Sequence, residues 1–134
     1  MKKIYLDANI FLNAILYDDK KAESCKEIIS QIINNKLQGY TSLLTWDEVV
    51  YTIQKLSGRK LSIKEGEKML KVPNMVFLDV NINIILKAQR LMDRYDLYPR
   101  DSIHLSSMLI NNIEELASDD SDFDKLKEIK RIKV

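Results

Sequence analysis

Strand-like and helix-like segments alternate along this 134-residue chain, and that alternation predicts an α/β domain with a parallel sheet. Its length and its 46% hydrophobic content suit one core and are too small for two comfortable ones, so residues 1–134 read as a single domain. With three glycines and two prolines the chain is poor in loops. The expected architecture is three layers, α/β/α, around a central, mostly parallel sheet of roughly four to five strands.

The elements follow in order. Ile4-Tyr5-Leu6 is a short β-prone run ending at Asp7, and from Ala8 to Leu16 the residues Ile10, Phe11, Ala14 and Ile15 recur at helical spacing. A second helix is expected from about Lys20 to Leu37, with Ala22, Cys25, Ile28, Ile29, Ile32 and Ile33 on one face and Gly39 as its stop. Gln38 to Ser42 reads as a brief strand, and Thr45 as the cap of a helix from Trp46 to Leu56. Ser57-Gly58-Arg59 breaks the pattern, and Ser62 followed by Glu65 resembles a capping box opening a short helix to Leu70. Val72-Pro73-Asn74 is a turn, and Met75 to Leu78 is a strand closed by Asp79. Asn81 to Tyr95 is helical, with Ile84, Ile85, Ala88, Leu91 and Met92 inward. Pro99 suits the first turn of the next helix, which carries Ile103, Leu105, Met108 and Leu109. Glu115 to Ser118 and Ile129 to Val134 read as the last strands, separated by an acid cluster and one helical turn.

Charged residues make up 31% of the chain yet sum to only +1, which argues against both a general polyanion binder and an acidic tail. An anionic substrate would have to be drawn by a local basic patch. The single cysteine, Cys25, excludes an intrachain disulfide, disfavours a thiolate metal site and suits a buried thiol in a reducing interior. Asp7 and Asn9 break the first apolar stretch before a secretory core could form. No apolar run approaches the roughly 18 residues of a membrane span. The expectation is a soluble cytoplasmic protein with no membrane partner.

Four acids stand where such a fold would gather them. Asp7 closes the first strand, Glu48 lies in the helix after the second, Asp101 opens a late helix, and Asp120 sits within Ser118-Asp119-Asp120-Ser121-Asp122-Phe123-Asp124. Strand ends in an open parallel sheet converge on one crevice, so acids distant in sequence can meet there. Carboxylate oxygens are natural ligands of a hard divalent cation, and such an ion equips a site for phosphodiester hydrolysis. Two unit charges ~4 Å apart repel by roughly 4 kcal/mol at an effective dielectric of about 20, so clustered carboxylates favour a cation or a shared proton. Each acid also has an ordinary role. Asp7 suits a helix cap, Glu48 a solvated helix position, and Asp101 a helix N-terminus where negative charge is favoured. The last cluster suits an exposed turn capped by Asp122.

Taken in order, these segments resemble the PIN-domain nucleases, and within them the small VapC-type toxins of toxin–antitoxin pairs. Ile4-Tyr5-Leu6-Asp7-Ala8-Asn9 is similar to that family's first motif, an apolar strand, then Asp, any residue and a small polar residue. Thr41-Ser42-Leu43-Leu44-Thr45-Trp46-Asp47-Glu48-Val49 is similar to the second, with Glu48 at its acidic position. Asp101-Ser102-Ile103-His104-Leu105-Ser106 resembles the third. Ser118-Asp119-Asp120-Ser121-Asp122-Phe123 resembles the fourth, and the likeness spans residues 4 to 124.

The resemblance implies a PIN-like fold and an endoribonuclease whose catalytic residues Asp7, Glu48, Asp101 and Asp120 hold Mg²⁺ or Mn²⁺, leaving 5′-phosphate and 3′-hydroxyl ends. Asp120 has the motif's register, with Asp119 and Asp122 as alternatives. Asn9 would orient a ligand or a bound water, and Asp122 would contribute from outside the coordination sphere. A homodimer and a cognate antitoxin are implied as partners, with RNA as substrate.

Among Lys20, Lys21, Arg59, Lys60, Arg94 and Arg100, the last is the best candidate for a phosphate contact because it adjoins Asp101. His104 lies three residues beyond Asp101, but a lone histidine amid Ile103, Leu105 and Met108 reads as a packed, hydrogen-bonded core residue. With one histidine a Ser-His-Asp triad has little support. Three other functions compete. A calcium loop from Asp120 fails because Lys125 stands where Gly is needed and Arg131 where Glu is needed. A receiver-like signalling domain phosphorylated on Asp79 lacks paired acids on its first strand. A non-cleaving RNA- or partner-binding module is disfavoured because all four acids are present.

Overall fold

Alternation along the first strand sets the layers. In β1 (Lys3–Leu6), Ile4 and Leu6 enter the core on one side of the sheet and Tyr5 enters the core on the other. The computed structural model describes residues 1–134. Helices α1 (Ala8–Leu16), α2 (Lys20–Ile33), α3 (Leu43–Ser57) and α4 (Arg59–Leu70) pack on the Ile4 and Leu6 side through Ile10, Phe11, Cys25, Ile32, Val49, Ile53 and Met69. Helices α5 (Ile82–Tyr95) and α6 (Pro99–Ile110) cover the Tyr5 side through Leu91, Leu105 and Met108. The result is the expected α/β/α sandwich.

β2 (Gln38–Ser42), β3 (Met75–Leu78), β4 (Glu115–Ala117) and β5 (Lys130–Ile132) complete a five-stranded sheet in the order β3-β2-β1-β4-β5. Every pairing is parallel. The chain winds outward from β1 through β2 to β3, then crosses back to β4 and β5. Winding therefore reverses between β1 and β4, and ligands of open α/β sheets bind outside the strand ends at such a reversal. This order also excludes the receiver-like alternative, which needs strands in the order 2-1-3-4-5, because Asp79 follows an edge strand.

Several boundaries differ from the sequence reading. α2 ends at Ile33, capped by Asn34, and Asn35 turns out with φ of 60°. Gly39 is thus a β2 residue and no helix stop. A Cβ there would lie 2.7 Å from Ile32 Cδ1 and 2.8 Å from Ile32 Cγ2, so glycine lets the helix lie close to the strand. α3 starts earlier than expected because the Ser42 hydroxyl accepts from Leu44 N at 3.0 Å. Thr45 is buried within its first turn, 2.7 Å from Thr41 Oγ1. α4 starts at Arg59, and Ser62 lies inside it, donating to the Arg59 carbonyl at 2.7 Å, so no capping box forms. Ile33 and Ile85 are exposed, whereas Ala22, Cys25, Ile84, Ala88 and Leu91 face inward as expected. β4 and β5 are shorter than expected, ending at Ala117 and Ile132. Between them, Asp120 and not Asp122 caps a 3₁₀ turn over Ser121–Lys125, accepting from Asp122 N at 2.9 Å. No helix is long and apolar enough to cross a membrane.

Gly39→Ala should therefore destabilise the fold by about 1–3 kcal/mol through overpacking. The increment should shrink in an Ile32→Val background, which removes the nearest atom. Urea unfolding of the four proteins tests this, and equal increments in both backgrounds would clear the Ile32 Cδ1 methyl of the clash.

Candidate active site

Asp7 occupies the turn between β1 and α1, where its backbone N–H bonds to the Ala117 carbonyl at 3.1 Å and ties the end of β1 to the end of β4. Its carboxylate accepts from Ala8 N on Oδ1 at 2.7 Å and from Ser118 Oγ on Oδ2 at 2.7 Å. Asp7 is thus a helix cap and a crevice acid at once. Asn9, two residues on, donates from Nδ2 to Asp7 Oδ2 and to Ser118 Oγ, each at 3.2 Å, while its Oδ1 accepts from Asp119 N at 3.0 Å. Ser118 Oγ also accepts from Asp120 N at 3.0 Å. These few groups knit the turn after β1 to the turn after β4. From β5, Arg131 Nη1 holds the Ser118 carbonyl at 3.0 Å, and the same guanidinium forks onto Asp124 at 2.7 and 2.9 Å.

Two further elements bring the other acids. Glu48 of α3 meets His104 of α6, with Oε1 2.6 Å from Nε2. The opposite ring nitrogen, Nδ1, is 2.6 Å from the Tyr5 hydroxyl. Tyr5 and His104 are 0% and 1% exposed, so this chain of hydrogen bonds runs through the core. Asp101 lies in the first turn of α6, one helical turn before His104, and is partly buried. Pro99 opens that helix as expected.

Burial and neighbouring charge both act on these groups. Burial, followed by the charges of Asp7, Asp120 and Glu48, pushes the Asp101 carboxyl up to about 6, with partial relief from His104. Burial also raises Asp7, against the lowering influence of His104, Ser118 and the Ala8 N–H. Burial pushes the Tyr5 phenol well above its ordinary range, reinforced by Asp7 and Glu48. At His104 burial disfavours the imidazolium, but the hydrogen bond and charge of Glu48, with Asp7 and Asp101, outweigh it and raise the group overall.

The acids do not form a ready-made coordination point. No three His, Cys, Asp or Glu side chains close on one coordination point. Three of the four carboxylates are turned to a nearer protein donor: Glu48 to His104, Asp7 to Ser118, and Asp120 to the Asp122 amide. Like charges repel, and donors close at hand hold them apart. The donor set nonetheless fits a hard divalent cation, being oxygen-rich, with Asp101 pushed upward by burial and then by neighbouring charges that a cation would offset.

The remaining candidates fall around this centre. Asp119 pairs with Lys21 at 2.8 Å and points its charge there, whereas Asp120 acts on Asp101. Asp122 and Arg100 are exposed, the latter in the first turn of α6 beside Asp101. His104 is the packed, hydrogen-bonded residue that the sequence suggested. The Cys25 thiol is buried and pushed up to about 11 by that burial and then by Asp119, as suits an inert core thiol. Sequence reasoning missed what Tyr5, Ser118 and Arg131 do. Tyr5 looks like any apolar strand residue, and Arg131 carries no local signal. Ser118 had one, its position two residues before Asp120.

A family model for the PIN domain matches residues 4–129. The chain belongs to the PIN domain family. Ribonuclease VapC2 of Methanocaldococcus jannaschii is 24% identical to this PIN domain over 144 residues, covering 98% of this chain and 94% of that protein. Mycobacterium tuberculosis VapC20, a sarcin-ricin loop cleaving toxin, shares the fold with a TM-score of 0.78 at 15% identity, over 92% of this chain and 95% of that one. A toxin–antitoxin complex from Klebsiella pneumoniae shares it with a TM-score of 0.71 at 17% identity, over 98% of this chain and 99% of that one. The PIN family was legible in the four ordered motifs, and the strand order and layers agree with it.

A carboxyl whose folded pKa lies above its unfolded value near 3.9 keeps its proton longer in the folded state. Ionising Asp101, with its folded pKa of about 6, thus costs stability, which falls as pH rises from about 4 to about 6 and is level above. Asp101→Asn removes that cost. After discounting for solvent screening of a partly exposed group, it should stabilise the metal-free protein by about 1 kcal/mol at pH 7 and not at all near pH 3.5. Urea melts in EDTA at both pH values measure this. A variant less stable than the parent at pH 7 would show that the ionised carboxylate is favoured where it lies.

Proposed function

We propose that this PIN domain is a Mg²⁺- or Mn²⁺-dependent endoribonuclease, the toxin of a toxin–antitoxin pair that acts in the cytoplasm. The observation that carries the proposal is the joined turns after β1 and β4, where Ser118 Oγ donates to Asp7 and accepts from Asp120 N, beside an Asp101 raised to about 6 by burial and then by the charges of Asp7, Asp120 and Glu48. The relative named Ribonuclease VapC2 supports the reaction class. In this proposal the four acids hold the ion. A divalent cation, when bound, supplies an acidified water and offsets negative charge on the phosphorus and the leaving oxygen.

The chain's own groups prepare that arrangement. Ser118 and Asn9 fix the Asp7 carboxylate, so its orientation is settled before any ligand arrives. Asn9 therefore acts by orienting Asp7, and Asp122 contributes from outside the coordination sphere. Arg100, exposed beside Asp101, takes an RNA phosphate, for which a guanidinium fork is well shaped. Hydrolysis leaves 5′-phosphate and 3′-hydroxyl ends. The proposed protein partners are a second copy of the chain and a cognate antitoxin. The Klebsiella pneumoniae structure of similar fold is a toxin–antitoxin complex, and α3 and α4 leave Trp46, Tyr51 and Ile63 exposed as apolar contact area.

Asp7→Asn and Asp101→Asn should each slow cleavage of a structured RNA by at least about a hundredfold, roughly 2.7 kcal/mol in the barrier. Asp101→Asn should do so while melting at least as high as the parent. Variants that cut at the parental rate would remove these residues from the mechanism. A parent that binds RNA in Mn²⁺ without cutting it would favour the non-cleaving module instead. Saturating Mn²⁺ should also raise the melting temperature, because an ion bound only by the folded state stabilises it; no shift in calorimetry would count against the ion site.

A further inference from the structure

The Tyr5–His104–Glu48 chain stands apart from the rest of the core. α6 presents Leu105 and Met108 to the same apolar cluster that takes Tyr5, and a Phe and a Leu in place of Tyr5 and His104 would fill such space without polar atoms. Buried polar groups are costly unless paired. Here the pairing runs in one direction, from the Tyr5 hydroxyl through both ring nitrogens to a single carboxylate oxygen at the crevice. It also joins three elements that each carry another crevice acid or Glu48 itself. Tyr5 lies two residues before Asp7 on β1, and His104 lies one turn after Asp101 on α6.

The hydrogen-bond roles can be assigned. An ionised carboxylate only accepts, so Nε2 carries a proton toward Glu48 Oε1. In a neutral imidazole Nδ1 is then the acceptor and the Tyr5 hydroxyl its donor, whereas in the imidazolium Nδ1 donates and the hydroxyl accepts, so Tyr5 holds the ring in either state. Glu48 thereby sets the proton on Nε2, and Tyr5 anchors the ring in the orientation that meets it. Without that hydroxyl the ring loses its hydrogen bond on the side away from Glu48. His104 occupies Oε1 and leaves Oε2 for a ligand.

We propose that Tyr5 and His104 are positioning residues for the metal site: the Tyr5 hydroxyl anchors the His104 ring, and His104 fixes Glu48 with one oxygen held and the other free to bind the cation. Neither residue touches metal or RNA. The inference rests on the metal site proposed above, since it assigns Glu48 to the ion. Partners of this kind, which orient a ligand from behind, typically set metal affinity by about 10–100-fold.

The test uses the full chain and Mn²⁺ alone, titrated by calorimetry at one neutral pH, so that no activity is read. Tyr5→Phe and His104→Leu should each weaken Mn²⁺ binding by about 10–100-fold, and His104→Gln, whose amide can both accept and donate, should recover part of that loss. Because the chain has a single histidine, ¹⁵N spectra of histidine-labelled protein in EDTA report this ring alone. They should show Nε2 protonated toward Glu48 in the parent, and the Nε2 signal should shift in Tyr5→Phe as the ring loses its anchor. A merely structural role would lower the melting temperature of Tyr5→Phe and leave the Mn²⁺ affinity unchanged, which would overturn the proposal. If His104→Leu does not fold, Tyr5→Phe decides alone, since it removes one oxygen atom. A parent that fails to bind Mn²⁺ sinks the metal site and this inference together, whereas a parent and Tyr5→Phe that bind equally sink only the latter.

Discussion

Repulsion among carboxylates crowded at one end of the sheet is the constraint on which the rest of the structure depends. Winding reverses between β1 and β4, and the turns that follow these strands place Asp7 and Asp120 beside one another. α3 and α6 add Glu48 and Asp101. Such a group of like charges is tolerable only where protein donors answer it. Those donors are the Ala8 N–H and Ser118 hydroxyl for Asp7, His104 for Glu48, and the Asp122 N–H for Asp120. Asp101 is left with the least compensation, and its carboxyl is pushed up to about 6.

The surrounding architecture holds this arrangement from several directions. Arg131 clamps the Ser118 carbonyl and Asp124, so an edge strand of the sheet steadies the loop that bears Asp120. Asn9 bridges the same loop to the turn after β1. Tyr5 connects the buried face of β1 to α6 and, through His104, to α3. Strain in the electrostatics is therefore carried by a rigid frame of short turns and parallel strands. Stability surrendered at Asp101 is stability that a cation can restore, which links the fold's weakest electrostatic point to its proposed chemistry.

Elements with a strong local signal were legible in the chain. The helices over Ala8–Leu16 and Pro99–Ile110 follow from apolar spacing and from Pro99, and the strand at Met75–Leu78 stands where it was expected. Boundaries failed where a tertiary contact outweighed a local rule. Gly39 looked like a helix stop because glycine often is one, yet it serves the approach of Ile32 to β2. Ser62 and Glu65 have the spacing of a capping box, but the helix already runs from Arg59. Asp122 looked like the cap of the last turn, a task that falls to Asp120.

The sequence by itself determined the α/β class, the family and the four acids to examine, because alternation, ordered motifs and residue chemistry are all local properties of a chain. It could not say which carboxylates would face one another or which donors would hold them. Those depend on strand order and on contacts such as Tyr5 with His104 and Asp7 with Ser118, separated by 99 and 111 residues. Only the tertiary structure decided that the acids rest apart on protein donors with no ready-made coordination point, because hydrogen bonds at under 3 Å outcompete the convergence that topology alone would suggest.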